Sequence, residues 1–320
     1  MRMRLLFVLD PLPELKAYKD SSVAMMQAAV ARGHRLHACE PADIWMRDGL
    51  VSVRSCGLEL TPGAADWYRP GAESSEPLSA FDAVLMRKDP PFDSEYLYAT
   101  HLLERAQGQG ARVFNDARAI RDHNEKLAIT EFSRFTAPTL VTRDPARLRE
   151  FVAEHGRAVL KLLDGMGGAS IFQARIDDPN LSVIIETMNQ FGVRSVMAQR
   201  YLPEIVQGDK RVLLIDGVPV PHALARIPKA GEARGNLAAG GTGRAQPLST
   251  RDREIAEALG PGLAARGLLL VGLDVIGDCL TEVNVTSPTC FREIMDQTGY
   301  DVAGEFITAL ERRVGAAPGR

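Results

Sequence analysis

The sequence predicts a protein of mixed α/β and α+β class that begins with a parallel β-sheet. In the first third, short apolar runs such as "RLLFVLD" alternate with helical patterns, which is typical of a parallel sheet covered on both faces. From about residue 124 the alternation gives way to a mixture of hairpins and helices. A chain of 320 residues is also too long for one small core. We therefore expect two or three packed subdomains.

The N-terminal part contains four predicted strands and two predicted helices. The strands are "RLLFVLD", "RLHAC", "DAVLMRKD" and "ARVFN", and the helices are "SSVAMMQAAVARGH" and "SEYLYATHLLERAQGQG". The first helix has Ser21 or Ser22 as its expected N-cap and Gly33 just past its end. The polar segment 71–79 is interpreted as a surface insertion.

The remaining elements follow in order. We predict a helix in "NEKLAITEFSRF", a strand at 139–142, helices at 145–155 and 180–191, the strand "SVMAQRYL", strands at 211–216 and 218–227, and a helix in "STRDREIAEALGPGLAARG". The stretch "KLLDGMGGASIF" is read as strand, Gly-rich turn and strand. Its lysine precedes the glycines, so it is neither a P-loop nor a dinucleotide fingerprint, and an ordinary hairpin remains an alternative. The segment 229–246 is long for an irregular connection and is predicted to be a lid that is not ordered without ligand.

Composition and charge exclude several classes of partner. A net charge of −3 offers no basic face for nucleic acid, and no stretch approaches the roughly 20 apolar residues of a membrane span. The short apolar run at the N-terminus stops at Asp10-Pro11, before a signal peptide would be complete. We expect a cytoplasmic protein whose four cysteines are reduced structural thiols.

The hairpin "VGLDVIGDCLTEVN" carries the clearest chemical signal. Glu282 and Asn284 are two residues apart, so they share one face of a strand. A two-residue turn would place Asp274 on the opposite face, whereas an odd-length loop or a bulge would place it directly opposite Glu282. We predict the second arrangement, because three oxygen-bearing side chains on one face would suit Mg²⁺. A solvated edge hairpin is the alternative.

A magnesium site of this kind shares its ion with phosphates, and several basic residues are candidates to bind them. They are Lys126, Lys161, Lys210, Arg211 and Arg226. Each alone could be a solvated surface charge. Lys161 and Arg226, however, end apolar strands, where an unpaired cation would be costly, and a triphosphate could use several of them together.

Seven runs resemble one known family. They are "MRKDPPFD", "NEKL", "DGMGGASIF", "GDKRVLLIDG", "ARIP", "RGNLAAGG" and "TEVNVTSPT". Together they are similar to the bacterial glutathione synthetases, a branch of the ATP-grasp ligases, and the likeness runs nearly end to end. The resemblance implies an ATP-grasp fold with three units: a Rossmann-like N-terminal substrate-binding domain (1–123), a central lid domain with a Gly-rich loop at 164–168 (124–202), and a C-terminal ATP-grasp domain with a mobile catalytic loop at 229–246 (203–320).

The resemblance also implies a reaction. ATP phosphorylates the cysteinyl carboxylate of γ-glutamylcysteine, and glycine attacks the acyl phosphate to give glutathione, ADP and phosphate. The implied cofactor is Mg²⁺, with Mn²⁺ as a possible substitute, and ATP is a co-substrate. The implied partners are these small molecules and further copies of the chain, in a homodimer or homotetramer.

Residue roles are carried over by matching motif. For ATP they are Lys126, Lys161, Gly165, Gly167, Gly168, Gln199, Tyr201, Leu202 and Asp209. For the metal they are Asp274, Glu282 and Asn284. For γ-glutamylcysteine they are Arg87, Asn284, Ser287, Pro288 and Thr289. For catalysis they are Arg211, Arg226 and Arg234, with Arg234 and Asn236 in the mobile loop.

Two departures from the family pattern and several rival functions remain. Leu162 stands where proline is usual, with a modest expected effect, and Thr242 stands where arginine is common.

Another ATP-grasp carboxylate–amine ligase, for D-alanine or glutamate, would share the metal and lysine residues, but the runs "MRKDPPFD" and "NVTSPT" favour γ-glutamylcysteine. A non-catalytic ATP-binding protein would be expected to lose some of the metal or arginine residues, and a nicotinamide oxidoreductase would need a glycine fingerprint that is missing after the first strand.

Overall fold

The architecture was taken from a computed structural model, which describes residues 2–63, 66–166, 170–229, 235, 237 and 240–316. Within these residues three separate β-sheets follow one another along the chain, and helices pack against each of them. The mixed α/β and α+β class is therefore confirmed.

The first sheet has seven strands. They are β1 (Arg4–Val8), β2 (Arg35–Cys39), β3 (Ile44–Arg47), β4 (Leu50–Leu60), β5 (Tyr68–Pro77), β6 (Ala83–Met86) and β7 (Val113–Phe114). The order is β3-β4-β2-β1-β6-β7, with β5 paired to β4. The four predicted strands β1, β2, β6 and β7 pair in parallel, as expected. The antiparallel extension β3–β5 was missed, and most of the predicted insertion 71–79 is an exposed edge strand within it.

Three helices accompany this sheet: α1 (Ser21–Ala31), α2 (Ser94–Gln107) and α3 (Ala117–Asp122). The predicted N-cap of α1 was one residue or more too late, because the Asp20 carboxylate accepts the hydrogen bond from the Val23 amide. A carboxylate caps a helix as well as a hydroxyl does and also interacts favourably with the helix dipole. The two serines are thereby free to make other contacts, which reach the functional site described below.

The second unit is a four-stranded antiparallel sheet with two helices. Its elements are β8 (Thr139–Thr142), α4 (Pro145–His155), β9 (Arg157–Leu162), β10 (Ile171–Arg175), α5 (Leu181–Asn189) and β11 (Val196–Arg200), and the strand order is β10-β9-β11-β8. The predicted strand–turn–strand around the Gly-rich loop is confirmed by the pairing of Lys161 with Ile171. The segment before this sheet, Leu127–Phe135, is 3₁₀ rather than α-helical and is kinked at Phe132.

The third unit holds a five-stranded antiparallel sheet and three helices. Its elements are β12 (Asp209–Ile215), β13 (Val218–Ile227), β14 (Thr242–Pro247), α6 (Thr250–Ala265), β15 (Leu270–Ile276), β16 (Cys279–Asn284), α7 (Phe291–Thr298) and α8 (Val302–Ala316), with strand order β14-β13-β12-β15-β16. The predicted mobile segment 229–246 was too long at its C-terminal side, because Thr242 onward pairs with β13 as β14. Much of the remainder of that segment lies outside the described residues.

The first and third units share one hydrophobic core. Phe7 and Met25 of the first unit belong to the same buried cluster as Leu213, Phe306 and Leu310 of the third. The second unit has its own core around Leu160, Ile185 and Ala198. The central sheet therefore has a core of its own, and Met197 of β11 also packs into the buried cluster of the third unit.

Two expectations concern the chain as a whole. Among the described residues no helix is long and apolar enough to cross a membrane. All four cysteines are free, as predicted, and Cys39 and Cys290 are buried.

Candidate active site

One cavity of about 600 Å³ lies where the three units meet. Most of the predicted site residues line it: Lys126, Lys161, Gly165, Gln199, Tyr201, Leu202, Asp209, Arg211, Arg226, Asp274, Glu282, Asn284, Ser287, Pro288 and Thr289. Arg87 lies behind the cavity wall. Gly167, Gly168, Arg234 and Asn236 lie outside the described residues.

A bulge in the hairpin of β15 and β16 brings the predicted carboxylates together. Ile276 pairs with Cys279 across a two-residue turn, but Asp274 pairs with Glu282, so Thr281 is the extra residue. The Thr281 hydroxyl donates to the Asp274 carbonyl at 3.1 Å, which stabilises the bulge. The predicted alignment of Asp274 with Glu282 is confirmed, and the bulge is what permits it.

The floor of the cavity is a cluster of two arginines and two aspartates. Arg211 donates from Nε and Nη2 to the two oxygens of Asp274, at 2.5 and 3.1 Å. Arg226 Nη2 lies 2.8 Å from the same carboxylate and 2.5 Å from Asp209. Strand register produces this arrangement, because Arg211 pairs with Asp274 across β12 and β15, and Asp209 pairs with Arg226 across β12 and β13.

The two aspartates of this cluster respond to it in opposite directions. Burial alone would raise the pKa of Asp274, but the charges of Arg211 and Arg226 and their hydrogen bonds outweigh burial and lower it. Burial raises the pKa of Asp209 to about 6, against the opposing charge of Arg226 and with support from the negative charge of Asp274. The Asp209 Oδ1 atom is buried and finds no hydrogen-bond partner among the described residues.

Two buried lysines face the same hairpin from the lid side. Lys126 Nζ lies 3.5 Å and Lys161 Nζ 4.0 Å from one oxygen of Glu282. Burial lowers the pKa of Lys161, and the nearby charge of Glu282 only partly compensates. Lys126 also donates to the Gly165 carbonyl at the start of the Gly-rich loop. The candidate Lys210 is not part of this group, because it is bound to Asp252 and the Gly277 carbonyl on the other face of β12.

One part of the cavity lining, the apolar slot, includes residues that the motifs did not identify. Val159, Ile171 and Ile276 line it beside Tyr201 and Leu202. Val159 is two residues before Lys161 on β9, so the strand period could have placed it on the same face. A planar apolar group fits between such side chains, whereas the lysines and arginines suit an anionic one.

A loop after β16 closes the remaining side of the cavity. Arg87 is buried, and it donates to the Ser22 hydroxyl at 3.1 Å and to the Pro288 carbonyl at 2.9 Å. Ser21 accepts a hydrogen bond from the Phe291 amide at 3.2 Å. The first unit thus holds the loop that carries Ser287, Pro288 and Thr289, through Arg87, Ser21 and Ser22, which lie far away in sequence.

The donor set of the hairpin fits a hard cation in part. Asn284 Nδ2 donates to the Gly272 carbonyl at 3.2 Å, so its oxygen is left for another partner. The Glu282 carboxylate makes only longer contacts with the two lysines. Asp274 would have to share its oxygens with two guanidiniums. Among the described residues no three His, Cys, Asp or Glu side chains meet as a metal site, so an amide oxygen is needed to complete this one.

Family models cover almost the whole of this architecture. The N-terminal domain of prokaryotic glutathione synthetase matches residues 3–121, and the ATP-grasp domain of the same enzymes matches residues 125–299. The chain belongs to the prokaryotic glutathione synthetase family. Its ATP-grasp fold is that of the family, as the resemblance implied.

Individual relatives agree over their full length. A glutathione synthetase of Ralstonia nicotianae is 62% identical over 317 residues, covering 99% of this chain and 98% of the relative. One from Nitrosomonas europaea is 61% identical over 315 residues, covering 98% of each. Among solved structures, the D-cycloserine synthetase DcsG superposes with a TM-score of 0.68 at 18% identity, over 97% of this chain and 99% of its own. At that identity the structural match supports the fold alone.

Both departures from the glutathione synthetase pattern occupy ordered strands. Leu162 is the last residue of β9, pairs with Val196 and packs against the core of the second unit. Thr242 is the first residue of β14 and pairs with Ile227. Neither substitution interrupts the strand in which it lies.

Proposed function

We propose that this cavity joins γ-glutamylcysteine to glycine at the expense of ATP, with the residue roles set out below. The enzyme is an ATP-dependent ligase that forms a peptide bond. The observation that carries the assignment is the meeting of two lysines, two arginines and the hairpin carboxylates around one cavity whose lining also includes the apolar slot.

ATP would lie with its base in the apolar slot and its phosphates toward the lysines. The strand edge after β11, with Gln199, Tyr201 and Leu202, would read the base. Lys126 and Lys161 would neutralise the phosphates, and the amides of the Gly-rich loop 164–168 would approach them closely. Two buried lysines that share one carboxylate leave positive charge for an anion to balance.

Glu282, Asn284 and Asp274 would hold the metal, which we propose to be Mg²⁺, with Mn²⁺ able to replace it. The ion would neutralise charge on the phosphate oxygens. The protein would contribute the bulge that places the three oxygens on one face.

The reaction proper would take place above the arginine cluster. An oxygen of the cysteinyl carboxylate attacks the γ-phosphorus, the bond to ADP breaks, and an acyl phosphate forms. The glycine amine then attacks the acyl carbon, loses a proton, and phosphate leaves. Arg211 and Arg226 would stabilise the negative charge in both steps, and they are already oriented by Asp274 and Asp209.

The dipeptide would be bound by the loop Ser287–Thr289 and by Asn284, and Arg87 would act through its hydrogen bond to the Pro288 carbonyl. The segment 229–241, including Arg234, would exclude water from the acyl phosphate. Each predicted domain would then supply one part of the site. The domain 1–123 would supply the dipeptide site, the domain 124–202 the lid, and the domain 203–320 the catalytic floor of the cavity.

The test is ADP release by the purified protein with ATP, Mg²⁺ and γ-glutamylcysteine, with and without glycine, and identification of the product by mass. We expect glycine-dependent release and a product with the mass of glutathione. Glu282→Gln should abolish it, while Glu131→Gln, a change of the same kind on an exposed residue, should not. Turnover with D-alanine instead of the dipeptide would contradict the substrate assignment.

We further propose that the chain forms a homo-oligomer. The edge strand β3 and its turn expose Trp45, Met46 and Leu50, which is unusual for a free surface. Light scattering of the eluted protein should give a mass of two or four chains, and a monomer would contradict the proposal.

A further inference from the structure

Three consecutive residues at the start of the lid unit bind two different parts of the cavity wall. Asn124 Nδ2 donates to the Leu163 carbonyl at 3.0 Å, and Lys126 donates to the Gly165 carbonyl, both at the base of the Gly-rich loop. Between them, the Glu125 carbonyl accepts from the Val283 amide of β16 at 2.9 Å. This short segment therefore touches the lid and the metal hairpin at the same time.

The Glu125 side chain extends the connection to the loop that follows β16. One oxygen, Oε1, accepts three hydrogen bonds: from the Val285 amide at 3.0 Å, the Thr286 amide at 3.1 Å and the Thr286 hydroxyl at 2.8 Å. Three donors converging on one buried carboxylate oxygen make a rigid anchor, because charge-assisted hydrogen bonds are about twice as strong as neutral ones.

The anchored loop is the one that lines the dipeptide side of the cavity. Val285 and Thr286 immediately precede Ser287, Pro288 and Thr289, and Glu125 itself lines the cavity. At the other end, Arg87 holds the Pro288 carbonyl and Ser21 holds the Phe291 amide. The loop is thus held from the first unit at one end and from Glu125 at the other.

We propose that Glu125 is a positioning residue that sets this loop for γ-glutamylcysteine. The segment that follows Glu125 packs against the third unit, because Ala128 and Ile129 belong to the same buried cluster as Val283. The assignment of the dipeptide to this loop rests on the proposed function, whereas the anchoring itself does not.

The anchor predicts a selective kinetic effect. Glu125→Ala leaves two amides and a hydroxyl without their acceptor, so the KM for γ-glutamylcysteine should rise about tenfold or more, while the KM for ATP changes less than about threefold. Glu125→Gln keeps an acceptor oxygen at the same place and should recover most of the loss. Thr286→Val removes one of the three hydrogen bonds. In the double variant with Glu125→Ala it should raise the KM for γ-glutamylcysteine little further, because the acceptor of that bond is already absent.

The control variant is Glu131→Ala. Glu131 lies on the 3₁₀ segment Leu127–Phe135 that follows Glu125, is exposed and binds Arg266 on the surface, so both KM values should stay unchanged. A purely structural role for Glu125 would raise both KM values together and would not be rescued by glutamine. That pattern, or an unchanged dipeptide KM in both Glu125→Ala and Thr286→Val, would overturn the proposal.

Hydrogen exchange of the ligand-free protein tests the anchoring independently of the substrate. We expect the Val285 and Thr286 amides to exchange at least tenfold faster in Glu125→Ala than in the wild type, with Glu125→Gln much closer to the wild type and the strand β15 unchanged. Unaltered exchange at both amides would refute the anchor even if the enzyme makes glutathione. Faster exchange in a protein that does not use γ-glutamylcysteine would instead refute only the proposed function.

Discussion

The two cationic groups of the cavity differ in how completely they are neutralised. On the floor, Arg211 and Arg226 meet the two carboxylates of Asp274 and Asp209 at hydrogen-bonding distances. On the lid side, Lys126 and Lys161 share the single carboxylate of Glu282 at 3.5 and 4.0 Å. The floor is therefore preorganised without ligand, whereas the lid side carries positive charge that a polyanion can balance.

The difference follows from where the residues come from. The floor residues occupy paired positions on neighbouring strands of one sheet, so backbone hydrogen bonding brings them together. The lysines come from two separate segments of the lid unit and approach the hairpin from outside that sheet. A preorganised charge favours a transition state, and an unbalanced charge favours binding of a ligand.

The largest effect is expected when the floor loses its shared carboxylate. Asp274→Asn leaves two buried guanidiniums with one carboxylate between them, which costs about 3–5 kcal/mol by comparison with other buried pairs. We expect kcat to fall by about a thousandfold or more and the melting temperature to fall by several degrees. Kinetics of ADP release and thermal unfolding measure the two effects. The exposed neighbour Asp278→Asn is the control, and a stable, active Asp274→Asn would show that the floor is not preorganised by this residue.

On the lid side we expect a smaller effect, in which substitution of a lysine weakens ATP binding without lowering stability. Burial lowers the pKa of Lys161 from its ordinary value of 10.5, so the folded protein holds this proton less tightly than the unfolded chain. The resulting loss of stability is complete below the folded pKa and disappears as the pH rises through 10.5. Lys161→Met should raise the KM for ATP about tenfold or more and leave the melting temperature at pH 7 equal or higher. A marked fall in melting temperature would contradict the contrast between the two groups.

The smallest effect concerns the second aspartate of the floor. Burial raises the pKa of Asp209 to about 6 from 3.8, so its ionised form costs stability above pH 6, and this cost is relieved as the pH falls through 6 toward 4. Asp209→Asn removes that titration. The quantity to compare is the melting temperature of the variant minus that of the wild type. This difference should be more positive at pH 7.5 than at pH 5, by a few degrees. The Asp278→Asn control should show the same difference at both values, and a pH-independent difference for Asp209→Asn would contradict the raised pKa.

Much of the site was accessible to sequence reasoning because its residues sit in short, patterned runs. The strand period placed Glu282 and Asn284 on one face, and the hairpin arithmetic required a bulge for Asp274 to join them. Glu125 was missed although it adjoins Lys126. A glutamate at the start of a helical pattern reads as a solvated residue, and its partners at 285 and 286 are 160 positions away.

The alternation of apolar strands and helices determined by itself the fold class and the pair of strands that flank the Gly-rich loop, and the strand period determined that Glu282 and Asn284 share one face. These features depend on periods of two and 3.6 residues, which are local. Tertiary structure alone decided that Lys210 turns away from the cavity, that Arg87 binds the Pro288 carbonyl, and that Glu125 accepts hydrogen bonds from the loop after β16. Each of these depends on which distant segments become neighbours, and burial makes an unpaired charge costly enough to select one partner among many.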